Sequence, residues 1–358
     1  MHAKEYEQRR SAAAEELAER KLDALLVSFS PNLRYLSGFT GSNGALLLLR
    51  GKAILFTDPR YEIQASQEST CRVRITKGPL MDSVVAAVRR LGVRRIGYEP
   101  ARMTCESYDA LQEKLPMRSS LTPVRGWIEG MRMVKSAAEL ALIRRSVETN
   151  SRAFERTVDR LKGGVRESDL AAELEYRMRR LGAEKPSFET IVAGGARSAL
   201  PHAQPTRAPI SGLVVVDMGA FQEGYASDMT RMLFVGTPGA KVQRMYRAVL
   251  EAQLAGIAAV RDGARSAAVD AAARNVLKTY GLDGAFTHST GHGLGLEIHE
   301  PPRLGRRDKL RLKEGMAVTI EPGAYLEGFG GIRIEDTVVV TKAGCEILTP
   351  TPKTLRVL

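Results

Sequence analysis

Eight side chains able to bind cations or move protons stand in the later part of this 358-residue chain, mostly at strand ends or in loops. Asp217 closes the apolar run Leu213-Val-Val-Val-Asp217. Asp228 opens Asp-Met-Thr-Arg-Met-Leu-Phe234 after a turn containing Gly219 and Gly224. A hairpin places two such positions on neighbouring strands and can turn both carboxylates to one side. Glu321 follows Met316-Ala-Val-Thr-Ile320, just ahead of Pro322-Gly323. Glu335 sits in Gly331-Ile-Arg-Ile-Glu-Asp-Thr337, where Arg333 shares its strand face and Asp336 points the other way. Of only five histidines, four are His202, His288, His292 and His299, in stretches rich in Gly, Pro, Ser or Thr; the fifth, His2, is a tail residue with no case for function.

Four carboxylates converging in a sheet would repel one another and would have to take up protons unless cations were present. Two divalent ions resolve this, with Asp217, Asp228, Glu321 and Glu335 as oxygen ligands and His292 as the one nitrogen ligand. So oxygen-rich a set suits Mn2+ or Co2+ better than a structural zinc site, with Zn2+ as the third choice. The bland alternative makes Asp217 and Asp228 turn residues and Glu321 and Glu335 solvated strand-face acids. It serves each residue singly and fails for the five together. Gly291, Gly293 and Gly295 form no phosphate-loop fingerprint, because the strand–helix setting is missing and an imidazole stands among them.

The elements that must position these groups come in two parts. Up to about residue 128, short apolar runs alternate with amphipathic stretches. Glu7–Lys21 reads as a helix, Leu22–Phe29 as a strand and Asn32–Gly38 as the start of a turn-rich passage. Ala45–Leu49 and Ala53–Phe56 read as a hairpin, Pro79–Leu91 and Cys105–Glu113 as helices, and Arg95–Tyr98 as a strand. This alternation predicts a small mixed α/β domain over 1–128. A second domain over 133–358 opens with a capping box, Ser136-Ala-Ala-Glu139, and a helix stopped by Gly163-Gly164. Gly164-Val-Arg-Glu-Ser…Gly182 overlays Gly263-Ala-Arg-Ser-Ala…Gly281 at an offset of 99 residues. Arg166 falls on Arg265, and each span is followed by strands, the last of them expected over Gly331–Val340. Two similar helix-plus-hairpin halves sharing one sheet follow from this, with a site where they meet.

Composition narrows the function classes. The chain is 44% hydrophobic and 26% charged, as in ordinary globular proteins, and no apolar run approaches the roughly 18 residues of a membrane helix. Charge-dense Met1–Arg20 lacks an apolar signal region, so the expected compartment is the cytoplasm. Three cysteines without paired or metal-binding spacing argue against a disulfide framework. The net charge of +12 is spread over both parts, and 6% aromatics leave the basic stretches without stacking partners. A nucleic-acid binder is not expected.

The quoted passages, together with Ile191-Val-Ala-Gly-Gly-Ala-Arg-Ser-Ala-Leu-Pro-His202, Ser227-Asp-Met-Thr-Arg231, His288-Ser-Thr-Gly-His-Gly-Leu-Gly295 and Ile298-His-Glu-Pro301, resemble the creatinase/aminopeptidase P/prolidase family of pita-bread metallopeptidases. Asn32-Leu-Arg-Tyr-Leu-Ser-Gly-Phe-Thr-Gly41 and Phe56-Thr-Asp-Pro-Arg-Tyr61 resemble the accessory domain of its Xaa-Pro peptidases, which the methionine aminopeptidases of the same family lack. The resemblance implies an α+β chain: a pita-bread catalytic domain with pseudo-two-fold halves, behind a creatinase/prolidase-type N-terminal domain.

It further implies that Asp217 is the bidentate ligand of one ion, that Asp228 and Glu335 bridge, and that His292 and Glu321 complete the second ion. His202 and His299 resemble the outer histidines that contact substrate and tetrahedral intermediate. His288 and Arg333 resemble further pocket residues of the proline-specific branch; alternatively they serve loop hydrogen bonding and an ion pair. The implied reaction is hydrolysis of an N-terminal Xaa-Pro bond by a hydroxide bridging the two ions, with Glu321 handling its proton. Aminopeptidase P-like action on longer peptides is the first reading. A prolidase acting on the dipeptide is the alternative, and a non-catalytic binding module the remaining one. The resemblance also implies a homodimer.

Overall fold

The computed structural model describes residues 3–161 and 164–358. By contacts the chain divides into Met1–Arg132 and Met133–Leu358. His2 and Gly163, one of the two glycines expected to stop the helix after Ser136, lie outside the described residues.

In the first unit six strands form one mixed sheet. They are β1 (Ala24–Val27), β2 (Ala45–Leu49), β3 (Lys52–Thr57), β4 (Arg72–Ile75), β5 (Arg95–Tyr98) and β6 (Ser120–Pro123), in the order β4-β3-β2-β1-β5-β6. The helices are α1 (Ala3–Glu19), α2 (Ser30–Ser37), α3 (Glu62–Glu68), α4 (Leu80–Leu91), α5 (Cys105–Lys114) and α6 (Trp127–Arg132). Leu26, Leu47, Ile54, Phe56, Val84 and Val88 share one buried cluster, so the amphipathic face of α4 covers the sheet.

One expectation fails in this unit. Asn32–Gly38 is helical, not turn-rich. Glu99, just past β5, accepts hydrogen bonds from Ser28 N, Phe29 N and Asn32 Nδ2, so a carboxylate some 70 positions away supplies the N-terminal acceptors of α2. Gly38, at φ +83°, ends the helix.

The second unit carries α7 (Ala137–Val158), α8 (Glu167–Arg180), α9 (Ala240–Ala259) and α10 (Ser266–Thr279). The capping box forms: Ser136 Oγ accepts from Glu139 N, and the Glu139 carboxylate accepts from Ser136 N. Short strands β7 (Lys185–Pro186), β10 (Ala220–Gln222) and β11 (Tyr225–Ala226) make a small sheet. Strands β8 (Ile191–Gly194), β9 (Gly212–Met218), β12 (Met229–Val235) and β20 (Arg356–Val357) make a second, in the order β20-β12-β9-β8. A third contains β13 (Gly291–Gly293), β14 (Glu300–Leu304), β15 (Ala317–Ile320), β18 (Asp336–Val340) and β19 (Cys345–Ile347), ordered β14-β13-β15-β18-β19. Strands β16 (Gly323–Leu326) and β17 (Gly330–Arg333) pair separately.

The 99-residue repeat has a structural counterpart. Arg166 and Arg265 each form an isolated antiparallel bridge, to Pro209 and Arg311, and the glycines closing the two spans, Gly182 and Gly281, both have positive φ. The halves do not share one continuous sheet, however. The expected strand Gly331–Val340 breaks into β17 and β18, and the segment between them crosses to the other half, where Glu335 N donates to Thr230 O at 3.3 Å. Among the described residues no helix is long and apolar enough to cross a membrane.

One buried ion pair fixes the start of this unit to the strand next to the cavity described below. Lys135 Nζ lies 2.7 Å from Glu300 Oε1, with both side chains nearly inaccessible. Lys135→Met removes the cation from a buried carboxylate and should cost about 3–5 kcal/mol in urea unfolding, with partial recovery in the Lys135→Met/Glu300→Gln double variant. An unchanged unfolding midpoint would contradict this role.

Candidate metal centre

Every candidate ligand stands in or beside a strand where the two larger sheets approach. Asp217 lies on β9 opposite Thr230 of β12, Asp228 directly precedes β12, and His292 is the middle residue of β13. Glu321 directly follows β15 and Glu335 directly precedes β18. Strand β13 runs between β14 and β15 with almost no clearance. A Cβ on Gly291 would meet Thr319 O at 1.9 Å, and one on Gly293 would meet Pro301 O at 2.3 Å. The glycines around His292 serve this close approach of neighbouring backbone.

His292 Nε2 lies 3.5 Å from Asp228 Oδ2 and 3.6 Å from Glu321 Oε1. Asp228, His292 and Glu335 offer ligand atoms that all fall within 4.8 Å of one another. The Gly293 carbonyl, 3.0 Å from His292 Nδ1, can only accept, so Nδ1 carries the proton and Nε2 keeps its lone pair facing the carboxylates. Burial, then His299, lowers the His292 pKa to about 4, so the ring is neutral near pH 7. Burial, then the charges of Glu335, Asp217 and Glu321, push Asp228 well above the usual carboxylate range. Burial, with Glu321 and Asp217, does the same to Glu335. Glu321 rises to about 8, chiefly through burial and against the opposing pull of Arg333.

Arg333 is already engaged. Its Nη2 donates to Asp217 Oδ2 at 2.6 Å, its Nε to Thr230 Oγ1 at 3.0 Å and its Nη1 to Tyr325 Oη at 2.8 Å. Thr230 Oγ1 in turn donates to Glu335 Oε2 at 2.7 Å. His288 Nδ1 faces the Ser289 carbonyl and its Nε2 lies 2.8 Å from Tyr325 Oη. Because a carbonyl only accepts, His288 holds its proton on Nδ1 and Tyr325 donates to Nε2. Burial, then Arg333, keeps His288 neutral with a pKa near 4. A hydrogen-bonded chain thus runs from His288 through Tyr325 and Arg333 to Asp217. His299 stacks edge-on against His292, with ring centroids 4.3 Å apart. The loop carrying His202 is tethered through Pro201 O, which accepts from Arg333 Nη1 at 3.3 Å.

All nine residues singled out from the sequence, His202, Asp217, Asp228, His288, His292, His299, Glu321, Arg333 and Glu335, line one cavity of about 790 Å3. Thr230, Tyr325 and Arg303 belong to the same surroundings and were not singled out. Arg303 had no local signal: it stands in the strand Glu300–Leu304, whose pairing to the His292 strand shifts register. Its register partner is His292. Tyr325 sits opposite Gly331, whose missing side chain leaves room for the ring.

The donor set fits divalent cations. Three buried carboxylates cannot all ionise beside one another without positive charge, and the neighbouring guanidinium of Arg333 is already shared among four partners. Asp217 Oδ1 is buried and has no hydrogen-bond partner, an arrangement that a cation would satisfy.

The description "Metallopeptidase family M24" matches residues 141–342, and "Creatinase/Prolidase N-terminal domain" matches 9–134. The chain belongs to metallopeptidase family M24. It is 37% identical over 339 residues to the Xaa-Pro dipeptidase of Pyrococcus horikoshii, covering 94% of this chain and 95% of that one. The solved Xaa-Pro dipeptidase from Bacillus anthracis superposes with a TM-score of 0.94 at 38% identity over the full length of both chains. The X-Pro aminopeptidase from Thermotoga maritima gives 0.89 at 37%, covering 95% of this chain and 99% of that one. The M24 assignment carries with it the pita-bread fold, peptidase activity and the use of divalent ions.

The carboxylate cluster sets a pH dependence. A carboxyl raised on folding favours the folded state fully below its unfolded pKa, and that benefit is lost as pH rises through the folded value. The metal-free protein should therefore lose thermal stability between about pH 5 and 8, the range up to the Glu321 value. Divalent ions bind the deprotonated ligands, so Mn2+ should raise Tm more at pH 8 than at pH 5.5. Thermal scans with EDTA or Mn2+ test this. Equal increments at both pH values would contradict it, and Asp228→Asn/Glu335→Gln should flatten the metal-free trend.

Proposed function

We propose that this M24 peptidase hydrolyses the Xaa-Pro bond of short peptides, the dipeptide included. The observation that carries the reading is the convergence of five candidate ligands, three histidines and Arg333 on one cavity wall. Asp217, Asp228, His292, Glu321 and Glu335 would hold two divalent ions, with Mn2+ the expected one. When bound, these supply Lewis acidity and an activated water for attack on a carbonyl.

The chain's own groups do the rest. Glu321 accepts a proton from the attacking water and returns one to the departing imino nitrogen. His299 and His202, on the open side of the cavity, donate to the charge that develops on the carbonyl oxygen. The chain His288–Tyr325–Arg333 holds Asp217 Oδ2 in place, and Oδ1 is left buried without a hydrogen-bond partner. The substrate's free α-amino group is recognised near the cluster. Arg303, the register partner of His292 and part of the same cavity wall, is placed to meet a carboxylate or carbonyl following proline. The Pyrococcus and Bacillus relatives named Xaa-Pro dipeptidase support action on the dipeptide. A second cavity that shares Arg303 with the first supports action on longer chains.

Product release from Xaa-Pro, Xaa-Pro-Yaa and Xaa-Ala-Yaa after loading with Mn2+ tests the proposal. The first two should be cleaved and the third spared. Asp228→Ala and Glu335→Ala should each reduce kcat by a factor on the order of 1,000 or more, as expected when a metal ligand is lost. Proline release that survives exhaustive chelation, or no cleavage of either proline substrate, would overturn it.

A further inference from the structure

A second cavity of about 610 Å3 adjoins the catalytic one, and the two share His288, Ser289, Arg303 and Asp308 as wall. This annex is strongly basic. Arg303, Arg306 and Arg307 line it, and among the described residues none of the three makes an ion pair or side-chain hydrogen bond. Arg274 also borders it, but its guanidinium is consumed by Asp270, Phe286 O and His288 O. The opposing charges are Asp283 and Asp308. Farther out, Arg306 and Arg307 continue into a groove of about 550 Å3 with Arg265, Lys309 and Arg311, where Asp308 is the one acid.

Arginines left without carboxylate partners in a concave wall are a ready anion site, since each presents several fixed donors and carries a permanent charge. Position decides what kind of anion. Arg303 is the register partner of His292, so the annex begins beside the reacting groups. An N-terminal ammonium would be repelled by this rim, which leaves the rim to the chain downstream of the scissile bond. Cavities of these sizes suit a few residues of extended peptide.

We infer that the annex and its outer groove bind acidic side chains on the C-terminal side of proline, making peptides that begin Xaa-Pro and continue with Asp or Glu the favoured long substrates. This rests on the Xaa-Pro reading above and adds to it a specificity for downstream charge. The attraction is partly solvent-exposed, so it acts mainly on capture of substrate and weakens with salt.

The test compares Mn2+-loaded enzyme on Ala-Pro, Ala-Pro-Glu-Glu, Ala-Pro-Ala-Ala and Ala-Pro-Lys-Lys in low and high salt. At low salt kcat/KM should be on the order of tenfold higher for the Glu peptide than for the Lys peptide, through KM, and the ratio should approach one near 0.5 M salt. Arg306→Ala/Arg307→Ala should shrink the ratio and Arg306→Glu/Arg307→Glu should invert it, while Ala-Pro turnover stays at the wild-type rate and reports intact folding. Equal use of the three tetrapeptides by the wild type, or a ratio untouched by charge reversal, overturns the inference. Cleavage of Ala-Pro alone overturns it too and leaves the peptidase reading standing. Failure on every Xaa-Pro substrate removes both.

Discussion

Mutual repulsion among buried carboxylates is the constraint around which the second unit is built. Asp228, Glu321 and Glu335 are pushed towards their protonated forms by burial and by neighbouring acids. A protein without need of that arrangement would gain by replacing the acids with apolar residues of similar size. Their retention together, around an imidazole whose lone pair is fixed towards them, is intelligible only with cations to balance the charge. The Arg333 guanidinium does not do so. Arg333 is tied to Asp217, Thr230 and Tyr325, so it orients the cluster's edge and leaves the centre negative.

Strand geometry explains why the ligands come from so far apart in the chain. Each of the two larger sheets contributes positions at or near strand ends, where a side chain can leave a packed sheet without disrupting its core. The crossing from β17 to β18 brings Glu335 against Thr230 of the other half, and the Thr230 hydroxyl then joins Glu335 to Arg333. Pairing of similar halves thus produces the site at their seam. The glycines flanking His292 belong to the same logic, because the β13 backbone must lie against two neighbours at once.

The legible part of this chain was the part written in local signals. Paired carboxylates at strand ends, scarce histidines, the capping box at Ser136 and the glycine-bounded 99-residue repeat all lie within short windows, and the structure has counterparts for each. What escaped depends on distant partners. The helix Ser30–Ser37 takes its N-terminal acceptors from Glu99, and Lys135 meets Glu300 across 165 positions. Tyr325 gains its meaning only beside His288 and Arg333, and an isolated tyrosine in a strand predicts neither. The strand expected over Gly331–Val340 failed for a related reason: its β-branched residues favour extension, but nothing local says which sheet each half will join.

Charge across the cavity is asymmetric. Acids and histidines line the catalytic cavity, and unpaired arginines line the cavity that adjoins it. Such a gradient acts on the polarity of a peptide before any specific contact forms, since the ammonium end and a downstream carboxylate are pulled in opposite directions. Two divalent ions at the floor would balance its four carboxylates by formal charge, which leaves the arginines of the outer wall as the cavity's uncompensated charge. Orientation of the substrate therefore follows from where charge is buried and where it is left exposed.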